Sequence, residues 1–367
     1  MRTIPSLAEV RVSHGAIRRT IAGLAITALI LLAGCATPKN KPSAAIFFPP
    51  PPDEPRIQFL TAFDSEAALS GQSGLSQFVL GKDRVHRPLW KPYGLATTKG
   101  HIYICDTMPG NISNIDLNRN RLRYLRPTGQ DAMQMPINVA VDKDGTRYVT
   151  DTKRLQVLIY GPDDRLVGTI GKAGETKPCG IALVGDKLYV TDMTNHCVRI
   201  YNKQTREQIQ QVPSDPKDEK ARLMQPTNIA VDQAGRMYVS DTSAFAVKIY
   251  DADGKHLRTV GDLGLNPGSF ALPKGIDVDR EGRFYVVDAA TGVVQLFDSE
   301  GRVLMYFGDP KSGNAALYLP AGLKVDYENV GYFQKYAAPG RKLEYVILVA
   351  NQAGPNKVAV YGFLARK

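Results

Sequence analysis

One pattern recurs six times along this 367-residue chain and leaves few folds open to it. Each unit opens on Pro-x-Gly or Pro-x-Asn and runs into an alternating apolar strand. It turns, often on Asp and Gly, and returns as Tyr-Val-x-Asp or a close variant. The opening prolines are Pro92, Pro136, Pro178, Pro226, Pro273 and Pro320, spaced 44, 42, 48, 47 and 47 residues apart. In five units the returning strand ends on Asp106, Asp151, Asp192, Asp241 or Asp288, 14 or 15 residues after the proline. A self-similar period of 40 to 50 residues is the signature of a repeat architecture in which each unit is one supersecondary element.

The fourth unit shows what that element is. Thr227-Asn228-Ile229-Ala230-Val231-Asp232 alternates with period two, Gln233-Ala234-Gly235-Arg236 turns, and Met237-Tyr238-Val239-Ser240-Asp241 comes back. Ala246 to Tyr250 reads as a third strand, Asp251-Ala252-Asp253-Gly254 as a hairpin turn, and His256 to Val260 as an outer strand. A four-stranded sheet alone cannot cover both of its faces. Stacking such sheets around an axis does, so the reading is an all-β, six-bladed β-propeller. Arg56 to Phe63 is an unmatched strand near the start, and the sixth unit stops after its third strand, Lys357 to Phe363. The N-terminal strand is therefore expected to complete the last blade and close the ring, removing two open edges. Between it and the first unit, Gly74 to Leu80 reads as a short helix.

These elements resemble the NHL repeat. The third unit carries the resemblance most fully, in Tyr189-Val190-Thr191-Asp192-Met193-Thr194-Asn195-His196-Cys197-Val198-Arg199-Ile200-Tyr201. It spans about Lys91 to Phe363, and six repeats match the six-bladed NHL propellers. The resemblance implies a fold and hardly any function.

The N-terminus reads as an address. Arg2, Arg11, Arg18 and Arg19 precede an apolar run from Ile21 to Leu32, too short for the ~20 residues of a spanning helix. Leu32-Ala33-Gly34-Cys35 follows, and resembles the bacterial lipobox, which implies a signal peptide over 1–34 and acylation (palmitate included) of Cys35. Residues after Arg18-Arg19 fit twin-arginine export poorly. Ala36 in place of Asp implies outer-membrane sorting, so the expected location is the outer membrane, lipid-anchored and facing the periplasm. Residues 35–55 contain seven prolines and read as an extended tether, with 56–367 as the propeller. Phe47 and Phe48 are left open between the membrane interface and the body.

Charge bears on partners. The net charge is +10, and the signal removes four Arg and one Glu, or +3, leaving about +7. Export and the scatter of Lys and Arg through hairpins exclude a nucleic-acid partner. Anionic headgroups or an acidic protein are the more reasonable attraction. The body reads as monomeric.

Candidate site residues lie where the openings and the Asp ends meet, at one end of the ring. Asn138, Asp151, Asp192, His196, Asn228, Asp241 and Asp288 form the candidate axial-face set. A recurring Asp most simply caps a recurring loop through backbone N–H groups, and Asn138 and Asn228 tolerate the left-handed conformation as Gly does. Alternatively Asn138, Asn228 and Asp241 ligate Ca²⁺ through oxygen; the resemblance to calcium-dependent lactonase propellers is in fold alone. A three-His zinc site, as in amidating lyases of related fold, is disfavoured. His101 and His256 sit away from that end, which leaves His196 and His86. Cys105, Cys179 and Cys197 read as buried free thiols, with a Cys179–Cys197 bridge as the alternative. An extra hairpin in the sixth unit offers Tyr332, Phe333, Tyr336 and Arg341 as a partner surface.

Two functions are carried forward. The first is a non-enzymatic lipoprotein whose propeller docks a protein, peptide or glycan and needs no cofactor. The second is a Ca²⁺-type hydrolase or lyase with an axial site.

Overall fold

The computed structural model describes residues 45–69, 87–172, 174–215 and 217–366. Cys35, His86 and the Gly74–Leu80 segment lie outside the described residues. The described chain forms six antiparallel sheets, five of four strands, each from one repeat unit, and one of five that joins the sixth unit to two N-terminal strands. Blades 1 to 5 run from Pro92 to Leu125, Pro136 to Ile170, Pro178 to Val212, Pro226 to Val260 and Pro273 to Phe307. In each, the strand opened by the proline is the innermost, and the chain meanders outward through adjacent pairs. The six-bladed all-β ring read from the repeat is the fold.

Alternation along each strand sends apolar side chains to both faces, where the next blade covers them. Between blades 4 and 5, Val247, Ile249, Val260, Phe284, Val286 and Phe297 form one such layer. Phe284 and Phe297 stack at 4.9 Å, and Tyr238 joins them at 5.3 Å from Phe284. The core is thus a set of layers between blades, with the inner strands around the axis.

Blade 6 closes as expected. Ile57–Phe63 pairs antiparallel with Val358–Leu364, Phe63 opposite Val358 and Ile57 opposite Phe363. Ile57, Leu60 and Phe63 are all buried in this closure. The body also begins earlier than Arg56. Phe47–Phe48 adds a fifth strand beside Ile57–Phe63, and Phe59 N–H donates to Ile46 C=O at 2.9 Å. Phe48 is buried against Phe307 and Tyr361, with ring centroids 6.1 and 6.2 Å away. The open question of Phe47 and Phe48 resolves onto the body.

The sixth unit's insertion is not a projecting hairpin. Val330–Phe333 is one turn of α-helix followed by a 3₁₀ turn, Gln334–Tyr336. Phe333 is fully buried, and Tyr332 and Tyr336 pack on the blade 6–blade 1 layer. The Tyr332 hydroxyl donates to Asn120 Oδ1 of blade 1 at 2.6 Å. Lys335 Nζ sits 4.1 Å from the Tyr332 ring centroid, and Arg341 Cζ lies 5.9 Å from that of Phe47. The partner surface expected at Tyr332, Phe333, Tyr336 and Arg341 is corrected accordingly: these groups spend their apolar and cationic character on the seam that joins the last blade to the first.

Candidate functional site

The Asp end of the ring repeats one clamp. In blades 1 to 5 the inner-strand proline stands opposite the strand-ending Asp, as in Pro136 with Asp151 and Pro226 with Asp241, and in blade 6 Pro320 stands opposite Asn351. Asp241 accepts Met224 N–H through Oδ2 and Gln225 N–H through Oδ1, both at 2.7 Å. The next residue answers, Thr242 N–H donating to Gln225 C=O at 3.0 Å. Asp151 takes Gln134 and Met135 N–H, then Lys153 and Arg154 N–H in the following turn. Asp288 takes Ala271 and Leu272 N–H, and Asp106 takes those of Trp90 and Lys91. Asp192 takes Lys177 N–H and the Arg199 guanidinium at 2.8 Å. All five carboxylates are buried. Burial pushes Asp106 up despite its N–H donors. At Asp192 burial acts the same way, but Arg199 and the surrounding N–H groups outweigh it and hold the carboxyl below its usual range.

Asp151, Asp192, Asp241 and Asp288 are therefore corrected as ligand-facing groups. Their oxygens fasten the loop entering each blade to the strand leaving it, the capping alternative read from the sequence. His196 takes a left-handed backbone (φ 51°) and its Nδ1 bonds Met224 C=O of the next blade, so it links blades 3 and 4.

Asn138 and Asn228 face the axis, for a reason other than backbone freedom. Neither has positive φ, nor do Gly94, Gly180, Gly275 and Gly322 at the same repeat position. This ring of six is the waist of the channel. A methyl on Gly322 would sit 2.0 Å from Tyr93 C=O, and one on Gly94 would sit 2.0 Å from Asn138 Oδ1. Four units lack a side chain here because neighbouring backbones, or an asparagine, occupy the space. Asn138 Nδ2 donates to Asn228 Oδ1 at 3.0 Å and to Cys179 C=O at 3.2 Å. With Asp241 holding two N–H groups and the Asn228 carbonyl taken by Asn138, the set Asn138, Asn228 and Asp241 does not fit Ca²⁺. Among the described residues no three His, Cys, Asp or Glu side chains gather as metal ligands.

On the Asp-end side, the waist is packed by the residue after each proline: Tyr93, Ile137, Cys179, Thr227, Lys274 and Ala321. Lys274 Nζ lies 5.4 Å from the Tyr93 ring centroid. Burial, with Lys91 nearby, lowers the Lys274 pKa, and burial pushes the Cys179 thiol up to about 12. Cys105, Cys179 and Cys197 are free and buried, and the Cys179–Cys197 bridge is not formed.

Around this packed mouth lies a surface the sequence reading missed. Trp90, Met135, Met224, Tyr318 and Leu319 stand one or two positions before an inner-strand proline, and Met108 follows Asp106. All six are exposed, Trp90 at 52% and Met108 at 70%. The two positions before each proline and the one after it hold three lysines, Lys91, Lys177 and Lys274, and no carboxylate. Large apolar residues at loop positions fixed by the repeat were the available signal.

No family model matches the chain, and no curated protein matches it in sequence. Solved structures match it in fold. A gluconolactonase from Xanthomonas campestris is 15% identical with a TM-score of 0.57, over 84% of this chain and 90% of that one. A Bacteroides thetaiotaomicron protein of unknown function is 18% identical with a TM-score of 0.55, over 75% and 70%. A catalytically inactive virginiamycin B lyase from Staphylococcus aureus, with quinupristin, is 13% identical with a TM-score of 0.51, over 74% and 94%. At such identities the likeness is one of fold alone.

Proposed function

We propose that this chain is an NHL-type propeller lipoprotein, anchored through Cys35 to the outer membrane and facing the periplasm, and that its Asp-end face is a docking platform for a protein partner. The observation that carries this reading is the exposed ring of Trp90, Met108, Met135, Met224, Tyr318 and Leu319. Methionine and aromatic side chains are enriched in protein interfaces, and so large an apolar display on one end of a rigid body marks an interaction surface. Lys91, Lys177 and Lys274, with no carboxylate at those positions, favour a partner segment that carries acid beside its apolar groups. The lactonase and lyase neighbours support a hydrolase or lyase only at the level of architecture; of the residues considered for that role, Asn138 donates to Asn228 at the waist and Asp241 holds two backbone N–H groups.

The test is crosslinking in membranes with the native chain and with Met135→Glu/Met224→Glu. Both side chains are exposed, so the melting temperature is expected to hold while crosslinks to the partner fall at least tenfold. Equal crosslinking to the same protein by both chains would refute the surface. Anchoring is checked separately: Cys35→Ala is expected to abolish lipid labelling and release the body from membranes.

A further inference from the structure

The waist divides the axis unequally. Toward the Asp end it is packed, whereas toward the turn end it opens into a cavity of about 250 Å³. Against a water's share of about 30 Å³, that is room for a file of waters or one small ring. The cavity floor is Asn138, Asn228, Gly275 and Gly322, its walls include Val139, Ile181, Ile229 and Leu323, and its mouth carries Thr97 and Val184.

Three observations define what such a cavity takes. Asn228 is only 5% exposed, and its Nδ2 donor has no partner, although its Oδ1 is held by Asn138. A buried amide N–H without a partner is unfavourable, and a small shift of the Asn228 side chain, which lines the cavity floor, turns that donor toward it. Each inner strand is the last strand of its sheet, so one edge of its N–H and C=O groups faces the channel. That lining offers donors and acceptors together, which suits hydroxyl groups, since they do both. The charged side chains of the lining cancel: Lys324 Nζ meets Asp277 Oδ2 at 2.9 Å, and Val325 N–H reaches the same oxygen at 2.8 Å. No net charge is left to attract an ion.

We propose that this channel is a binding site for one small neutral hydroxylated molecule, of monosaccharide or cyclic polyol size, entering from the turn end with a hydroxyl oxygen on Asn228 Nδ2. The site lies across the waist from the docking face and stands independently of it. The waist amides set its depth, and the Asp277–Lys324 pair sets its preference for neutral ligands.

The experiment is calorimetric titration of the full chain in detergent with glucose and with myo-inositol, beside gluconate and glucosamine as charged counterparts. Saturable binding of a neutral probe is expected, with at least tenfold weaker binding of the charged ones. Asn228→Asp replaces the free donor with an acceptor and is expected to weaken binding tenfold or more. Val184→Trp narrows the mouth without touching the floor, and is expected to abolish binding at an unchanged melting temperature. Absence of saturable heat with both neutral probes would overturn the proposal and leave a water-filled channel. Equal or tighter binding of gluconate, or binding indifferent to Val184→Trp, would overturn it as well.

Discussion

Blades 4 and 6 carry the same repeat and are assembled differently. Blade 4 is one uninterrupted meander from Pro226 to Val260, closed by short turns. Blade 6 takes its inner three strands from the C-terminal end and its outer two from the N-terminal end. Phe63 and Val358, partners across that joint, are 295 positions apart. Every contact inside blade 4 forms cheaply because its loops are short, whereas the joint in blade 6 must first overcome the entropy of bringing the chain ends together. Their clamps differ too. Asp241 in blade 4 accepts two N–H groups, while Asn351 in blade 6 accepts Tyr318 N–H at 3.0 Å and donates through Nδ2 to Asn356 C=O at 2.6 Å. An amide both accepts and donates, and that suits the longer turn that follows Asn351. The lesson is that one repeat tolerates either a local or a distant origin for its strands, provided the buried polar groups are met.

Removing the distant strand should break this comparison outright. Deleting residues 56–63 removes the buried Ile57, Leu60 and Phe63, each worth roughly 1.5–3 kcal/mol, and bares the apolar surface they cover. The sum approaches the whole stability of an ordinary domain, about 5–15 kcal/mol. Calorimetry is expected to show no single cooperative transition, and an unchanged melting temperature would refute the closure. Next comes the waist. Gly322→Ala drives a methyl into the Tyr93 carbonyl and should cost about 2–3 kcal/mol. Asn228→Ala, at the equivalent place in blade 4, should cost about 1 kcal/mol; urea midpoints compare the two. Third, Asp241→Ala strands two N–H donors and is expected to cost about 2 kcal/mol, against about 1 kcal/mol for Asn351→Ala.

The smallest effect is titration. Asp192 lies below its usual range in the folded chain, so its stabilisation is complete above the unfolded value, about 3.9, and is lost as pH falls through the lower folded value. Asp192→Asn should flatten stability against pH below about 4, whereas an amide clamp such as Asn351 contributes no such slope. Urea midpoints from pH 2 to 7 measure the difference.

Much of this was legible in the repeat. The register of Pro against Asp follows from a near-constant spacing of 14 or 15 residues, because a hairpin of nearly the same length brings the same two positions opposite. An orphan strand at Arg56 to Phe63 and a sixth unit one strand short left one economical closure. Asn138 and Asn228 were harder. A Gly that alternates with Asn at one repeat position has two physical causes, positive φ or lack of room, and spacing cannot separate them. Phe333 and Tyr332 read as a projection because their burial depends on blade 1, where Tyr332 bonds Asn120, 212 positions earlier.

The amino-acid sequence by itself determined the blade, its clamp, the number of blades and the strand that closes the ring, since these rest on local periodicity and on counting strands. Only the tertiary structure decided that Trp90, Met108, Met135, Met224, Tyr318 and Leu319 share one exposed face. It also decided that the waist admits side chains in just two of six blades, and that the axis is packed at one end and open at the other. Those features arise where six distant segments converge on one axis, and the free volume there is a property of the closed ring that no single repeat contains.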